Sequence, residues 1–128
     1  MKQLEAQPCV LRVENLGEAI VIIPEGACDD QCTEALDGIT FELEKNPHKD
    51  IILDASKLQY IETSGFRWII TQFRKLQDLG GSLIVAGLAG PAERGFKLLQ
   101  LDKYIPAAAT VEAALARIRR NREIKKEA

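Results

Sequence analysis

Residues 50–79, DIILDASKLQYIETSGFRWIITQFRKLQDL, change their hydrophobic period part-way, and that change restricts the fold more than any other stretch. A continuous apolar run at 51–53 ends at Asp54 and reads as a buried strand, and a polar loop carries the chain on to Ile61. From Ser64 the pattern becomes helical. At about 100° per residue, Phe66, Ile69, Ile70, Phe73 and Leu76 share one face, while Arg67, Thr71, Arg74, Lys75 and Asp78 lie elsewhere. Gly80-Gly81 stops the helix, and 82–86 is a second short apolar run of strand type. Strand, amphipathic helix and strand in this order require an α/β arrangement, because the apolar face of the helix has to lie against the sheet that the strands form.

Ser64 is the residue with chemical potential in this stretch. It stands where the helix opens, so its oxygen can serve as an N-cap, the commonest use of a serine before a helix. The first turn also presents amide protons without intrahelical acceptors at the positive end of the macrodipole, a setting that holds a phosphate if the serine is modified. Asp54, at the end of its strand, fits a loop-fixing role, accepting amide protons from the turn at 55–58.

The remaining elements surround this unit. After a polar leader at 1–8, residues 10–16 and 19–23 form an opening hairpin with a tight turn at 15–18. Pro24 and Gly26 are expected to break the second strand. Asp29 or Asp30 then caps a helix with Cys32, Leu36, Ile39 and Leu43 at helical spacing, ended by Asn46-Pro47. Pro91 starts a later helix with Phe96, Leu98, Leu99 and Leu101, weakened by Gly95. Tyr104 and Ile105 suggest a last short strand. Thr110 caps a final helix with Val111, Ala114, Leu115 and Ile118 on one face, and residues 119–128 form a basic helix end or tail.

A chain of 128 residues with 46% hydrophobic content supports one domain, 1–128, with a proper core. The 17 basic and 19 acidic side chains give a net charge of -2, without the basic excess of a nucleic-acid binder. No run approaches a membrane span and no signal peptide precedes the domain, so a cytoplasmic protein without membrane insertion is expected. Cys9, Cys28 and Cys32 read as reduced thiols; with His48 the only histidine, they lack the paired spacing of a zinc site, and no metal or cofactor is expected. Catalysis is not expected either. The glycines at 80–81 and 87–90 lack the spacing and lysine of a phosphate loop, and His48 stands in a proline-bounded turn with no Ser-His-acid set. A metal-dependent phospho-aspartate receiver would need an acidic pair after the first strand, where only Glu14 is present.

The wording of 51–88, IILDASKLQYIETSGFRWIITQFRKLQDLGGSLIVAGL, resembles the STAS family of bacterial anti-sigma factor antagonists, in which a strand ending in Leu-Asp is followed by Asp-Ser-Ser-Gly and a helix. The resemblance continues through FKLLQLDKYIP at 96–106 and TVEAAL at 110–115. It implies an α/β sandwich with a mixed sheet of about four to five strands and about four helices packed mainly on one face. Ser64 falls on the serine that family kinases modify, Gly65 on the following glycine, Thr63 on the serine before it and Glu62 on the aspartate. Gly26-Ala27-Cys28-Asp29 resembles the family's Gly-x-Leu-Asp element and makes Asp29 a neighbour of the site; Asp54 belongs to the same loop framework. Arg67 replaces a small residue, and Gln100 a glycine.

By this resemblance the protein is expected to be a partner switch in transcription regulation. Unphosphorylated, it would bind an anti-sigma factor that is also a serine kinase; phosphorylated on Ser64, it would release that partner until a serine phosphatase reverses the change. The alternative is a non-phosphorylated STAS subunit of a stress-signalling scaffold or a lipid-transport ATPase, which Glu62-Thr63-Ser64 also allows. Arg67 and Trp68 are the candidate partner contacts. Trp68 projects about 200° from Phe66, away from the apolar arc, so it is expected outside the core unless a neighbouring element covers it.

Overall fold

A computed structural model of the chain describes residues 10–43 and 50–127. The leader at 1–8, Cys9, the Asn46-Pro47 stop and His48 lie outside the described residues. The hairpin is β1, Val10–Asn15, against β2, Ile20–Cys28, antiparallel with Asn15 opposite Ile20. Gly17, at φ +83°, turns the chain in a conformation that a Cβ would resist, and its N–H donates to Asn15 Oδ1 at 2.8 Å. Contrary to expectation, β2 does not break at Pro24 or Gly26. It pairs in parallel with β3, Asp50–Asp54, through Ile22, and with β4, Leu58–Ile61, from Gly26 onward. Pro24 falls between the two pairings, where a missing amide proton is tolerated, and Gly26 marks a register shift.

The sheet has six strands, in the order β1-β2-β3-β5-β6 with β4 on β2; β5 is Ser82–Ala86 and β6 is Ala107–Ala108. The last strand therefore lies beyond Tyr104 and Ile105, which follow a short 3₁₀ turn at Leu101–Lys103; Tyr104 is exposed while Ile105 turns into the core.

Alternation along the strands sorts the apolar residues between two faces. Ile20, Ile22, Ile51, Leu53, Leu83 and Val85 face the helices α1, Asp30–Leu43, α2, Thr63–Asp78, and α3, Gly90–Leu98. On the other face Val21, Ile23, Ile52 and Ile84 meet Ala114 and Ile118 of α4, Val111–Glu127. Coverage on both sides explains why β2, β3 and β5 are apolar at nearly every position.

Chain breaks follow their local chemistry. Gly80 takes φ +82°, its N–H bonds Gln77 O at 3.0 Å and Gly81 N–H bonds Leu76 O at 2.8 Å, a Schellman stop. Gly95 lets α3 reach α2: a Cβ there would stand 2.8 Å from the Phe66 ring. Leu98 and Leu99, grouped in sequence with the apolar residues of this helix, are exposed, and only Phe96 and Leu101 are buried. Thr110 caps α4, its Oγ1 accepting the Ala113 amide at 3.1 Å. The basic end continues as helix rather than as a tail. Arg119 grips Glu18 with two bonds, at 2.6 and 2.7 Å, and Arg122 reaches Asp50 Oδ2 at 2.7 Å.

Candidate functional site

The end of β2 and the start of α2 are tied by one backbone bond, Glu62 N–H to Cys28 O at 2.9 Å. Glu62 is the N-cap, extended at φ -88° and ψ 174°, and its side chain makes no capping bond. Phe66 N–H closes the first intrahelical bond onto Glu62 O at 3.1 Å, which leaves the amides of Thr63, Ser64 and Gly65 without an intrahelical acceptor. Ser64 is thus the second residue of the helix and not its cap. Its residue is half-buried, and its Oγ is covered and has no hydrogen-bond partner. Gly65 is required by close approach, since a Cβ would lie 2.6 Å from Ile61 Cγ2, 2.7 Å from Cys28 Sγ and 3.0 Å from Cys28 O.

The expected neighbours are distributed around this junction. Asp29 directly follows Cys28 and caps α1, accepting the Cys32 amide at 3.0 Å, so its carboxylate is used locally. Asp54 accepts the Ser56 amide at 3.0 Å and holds the turn between β3 and β4, which Leu58 N–H closes onto Ala55 O at 3.1 Å. Glu62, Thr63 and Arg67 are exposed. Cys28 and Cys32 are buried thiols, neither in a disulfide. Among the described residues no three His, Cys, Asp or Glu side chains gather as a metal site, and no helix is long and apolar enough to cross a membrane.

Trp68 corrects the expectation that placed it outside the core. It is only 5% exposed, because α1 packs beside α2 and covers the flank that a single apolar arc leaves in solvent. The two helices border an open depression of about 330 Å³ lined by Thr33 and Asp37 from α1 and by Ser64, Arg67, Trp68, Thr71, Gln72 and Lys75 from α2. Gln72 is the one polar residue buried there, at 6% exposure. The spacing alone contained this signal: Ser64, Trp68 and Gln72 recur every fourth residue and so form one row along the helix.

Residues 11–114 match the family model of the STAS domain. The chain belongs to the STAS domain family. Solved structures of similar fold include an anti-sigma factor antagonist from Mycobacterium paratuberculosis, 24% identical with a TM-score of 0.77, the match covering 87% of this chain and 94% of that one. SpoIIAA in its unphosphorylated form is 21% identical at a TM-score of 0.75, covering 86% and 96%. The phosphorylated form of SpoIIAA, a Bacillus cell fate determinant, gives 22% and 0.68, covering 85% and 99%. An RsbS variant from Moorella thermoacetica is 15% identical at 0.77, covering 88% and 97%. At these identities the likeness is one of fold, and this STAS domain shares the mixed sheet and four helices.

Proposed function

We propose that this STAS domain is an anti-sigma factor antagonist, a regulator rather than a catalyst, and that phosphorylation of Ser64 controls its binding to an anti-sigma factor that is also a serine kinase. The observation that carries the reading is the Ser64 hydroxyl, seated in the first turn of α2 beside three uncapped amides and bonded to nothing. With no hydrogen bond to hold it, the oxygen gives up no bond when it is presented to a kinase. SpoIIAA, known in both phosphorylation states, supplies the precedent within the same fold.

The size of the switch follows from charge. A phosphate adds about -1.5 to -2 charges, and the helix dipole returns only about 0.3 to 1 kcal/mol, so the domain stays folded. At a docked surface, burying that charge beside Glu62 costs about 2 to 5 kcal/mol, on the order of thirtyfold to several thousandfold in affinity. Ser64→Asp should therefore weaken binding to the cognate anti-sigma factor while Ser64→Ala should not, both remaining folded. Calorimetric titration of the two variants, together with intact-mass analysis of protein from its native cell with and without phosphatase, tests this. Equal affinities would sink the switch. The covered Ser64 oxygen also suits a second reading, a STAS subunit of a scaffold or transport ATPase that docks through α2 without modification; no phosphate and unchanged docking by Ser64→Asp would favour it.

A further inference from the structure

Among the described residues two buried side-chain polar atoms have no hydrogen-bond partner, Ser64 Oγ and Trp68 Nε1. They belong to neighbours at i and i+4 on α2, with Cβ atoms about 5–6 Å apart, and both residues line the depression between α1 and α2. An indole N–H can only donate. Most of the remaining lining is of the same kind: Arg67 and Lys75 have donors only, Thr71 and Gln72 can donate, and Asp37 is the single carboxylate. The uncapped amides of 63–65 stand at the same end of the helix. Within about one turn of the serine oxygen stand Trp68 Nε1–H, the Arg67 guanidinium and the uncapped amides, a set of donors that fits a tetrahedral oxyanion.

We propose that this cleft seats the phosphate carried by Ser64, with Trp68 Nε1–H and the Arg67 guanidinium donating to its oxygens. The inference rests on the phosphorylation proposed above and adds where the group goes. In the transfer the Ser64 Oγ–P bond forms as the bond between the β and γ phosphates of a nucleoside triphosphate on the kinase breaks; the hydroxyl proton passes to the kinase's base and the diphosphate departs. The new acceptor oxygens lie two bonds beyond Oγ, and the Trp68 side chain, leaning toward the helix N-terminus as helical side chains do, lies over the turn that carries Ser64. Lys75 lies three turns further along α2, about 16 Å of axial rise from Ser64, so Arg67 is the cation beside the seat, with Asp37 the carboxylate in the lining of the depression. Phosphorylation then blocks the partner by filling the cleft as well as by repulsion.

The test uses the full chain with phosphoserine installed at position 64 by genetic code expansion, beside the unmodified chain. Trp68 is the only tryptophan, so its indole N–H gives one cross-peak in a proton-nitrogen spectrum. On phosphorylation that peak should move downfield and its solvent exchange should slow by about tenfold. Phosphorus NMR should place the second ionisation about half a unit or more below the usual value near 6, returning upward in Arg67→Ala and in Trp68→Phe. Arg67 is exposed, so its variant keeps the fold even where Trp68→Phe does not. An unmoved indole peak, or one ionisation constant for all folded variants, overturns the seat. Neither readout involves the partner: a seated phosphate on a chain that still binds the anti-sigma factor at full strength would support the seat and remove the switch.

Discussion

An alanine at position 65 would force its methyl group against three atoms at once. Ile61 Cγ2 at 2.6 Å and Cys28 Sγ at 2.7 Å are side-chain atoms, but Cys28 O at 3.0 Å is backbone, held in place by the Glu62 amide. Relief requires the start of α2 to move off the end of β2. Overpacking of this kind costs about 1–3 kcal/mol, and the usual gain from replacing a helical glycine by alanine, about 0.5–1 kcal/mol, offsets only part of it. Gly65→Ala should therefore lose up to about 2.5 kcal/mol net. Gly38→Ala in α1 is the internal control, because a Cβ there meets nothing within 4 Å and the propensity gain is unopposed. That variant should gain about 0.5–1 kcal/mol. Urea unfolding followed by Trp68 fluorescence reads both as midpoint shifts of opposite sign. If Gly65→Ala raised the midpoint as Gly38→Ala does, the reasoning that makes glycine obligatory beside the serine would be wrong.

Trp68→Ala should cost about 3–5 kcal/mol as a core truncation; because the variant lacks the only tryptophan, urea unfolding is followed by far-ultraviolet circular dichroism, and a loss under about 1 kcal/mol would place the indole outside the core. Arg119 holds the Glu18 carboxyl below its usual value of 4.5, chiefly through their hydrogen bonds. A lowered folded value means that the pair's contribution is complete above the unfolded value and is lost as pH falls through the folded one. The stability gap between wild type and Arg119→Ala should thus be full at neutral pH and shrink below pH 4.5, and a gap that widens on acidification would refute the assignment. Gln100 is the one non-glycine residue at positive φ among the described residues, at +59°. Gln100→Gly should stabilise by about 1 kcal/mol, read as a higher urea midpoint, despite losing the exposed bond from Lys103.

The fold is legible in the sequence where structure depends on neighbours along the chain. The turn at Gly17, the Thr110 cap, the Gly80 stop and the bond that Asp54 makes to its own turn are all decided within a few residues. The fold is not legible there where a second element intervenes. The apolar arc leaves Trp68 outside because it supposes one neighbour, whereas α2 rests on the sheet and is flanked by α1, so its buried surface wraps further round to take in Trp68 and Gln72. Pro24 could remain inside β2 because the strand changes partners there, a fact of pairing that no local propensity carries. Serine favours the cap, but the chain enters α2 at Glu62, whose amide is fixed by Cys28, and Ser64 lies two positions past the cap.

The helix that closes the second face of the sheet has a consequence for how the protein is made. α4 follows all six strands in chain order, and its grip on Glu18 joins positions 101 residues apart. A contact of that span forms late, since the closure entropy of the intervening chain must be met first. During translation the ribosome therefore releases every strand before the cover for Val21, Ile23, Ile52 and Ile84 exists, and the nascent domain presents a bare apolar sheet to whatever surrounds it. The stretch that matches the family ends at 114, inside α4, while Ile118, Arg119 and Arg122 come after it. Until α4 has emerged and docked, the face of the sheet that carries Val21, Ile23, Ile52 and Ile84 stays open to chaperones, while the helices on the other face, α2 with Ser64 among them, precede it out of the ribosome.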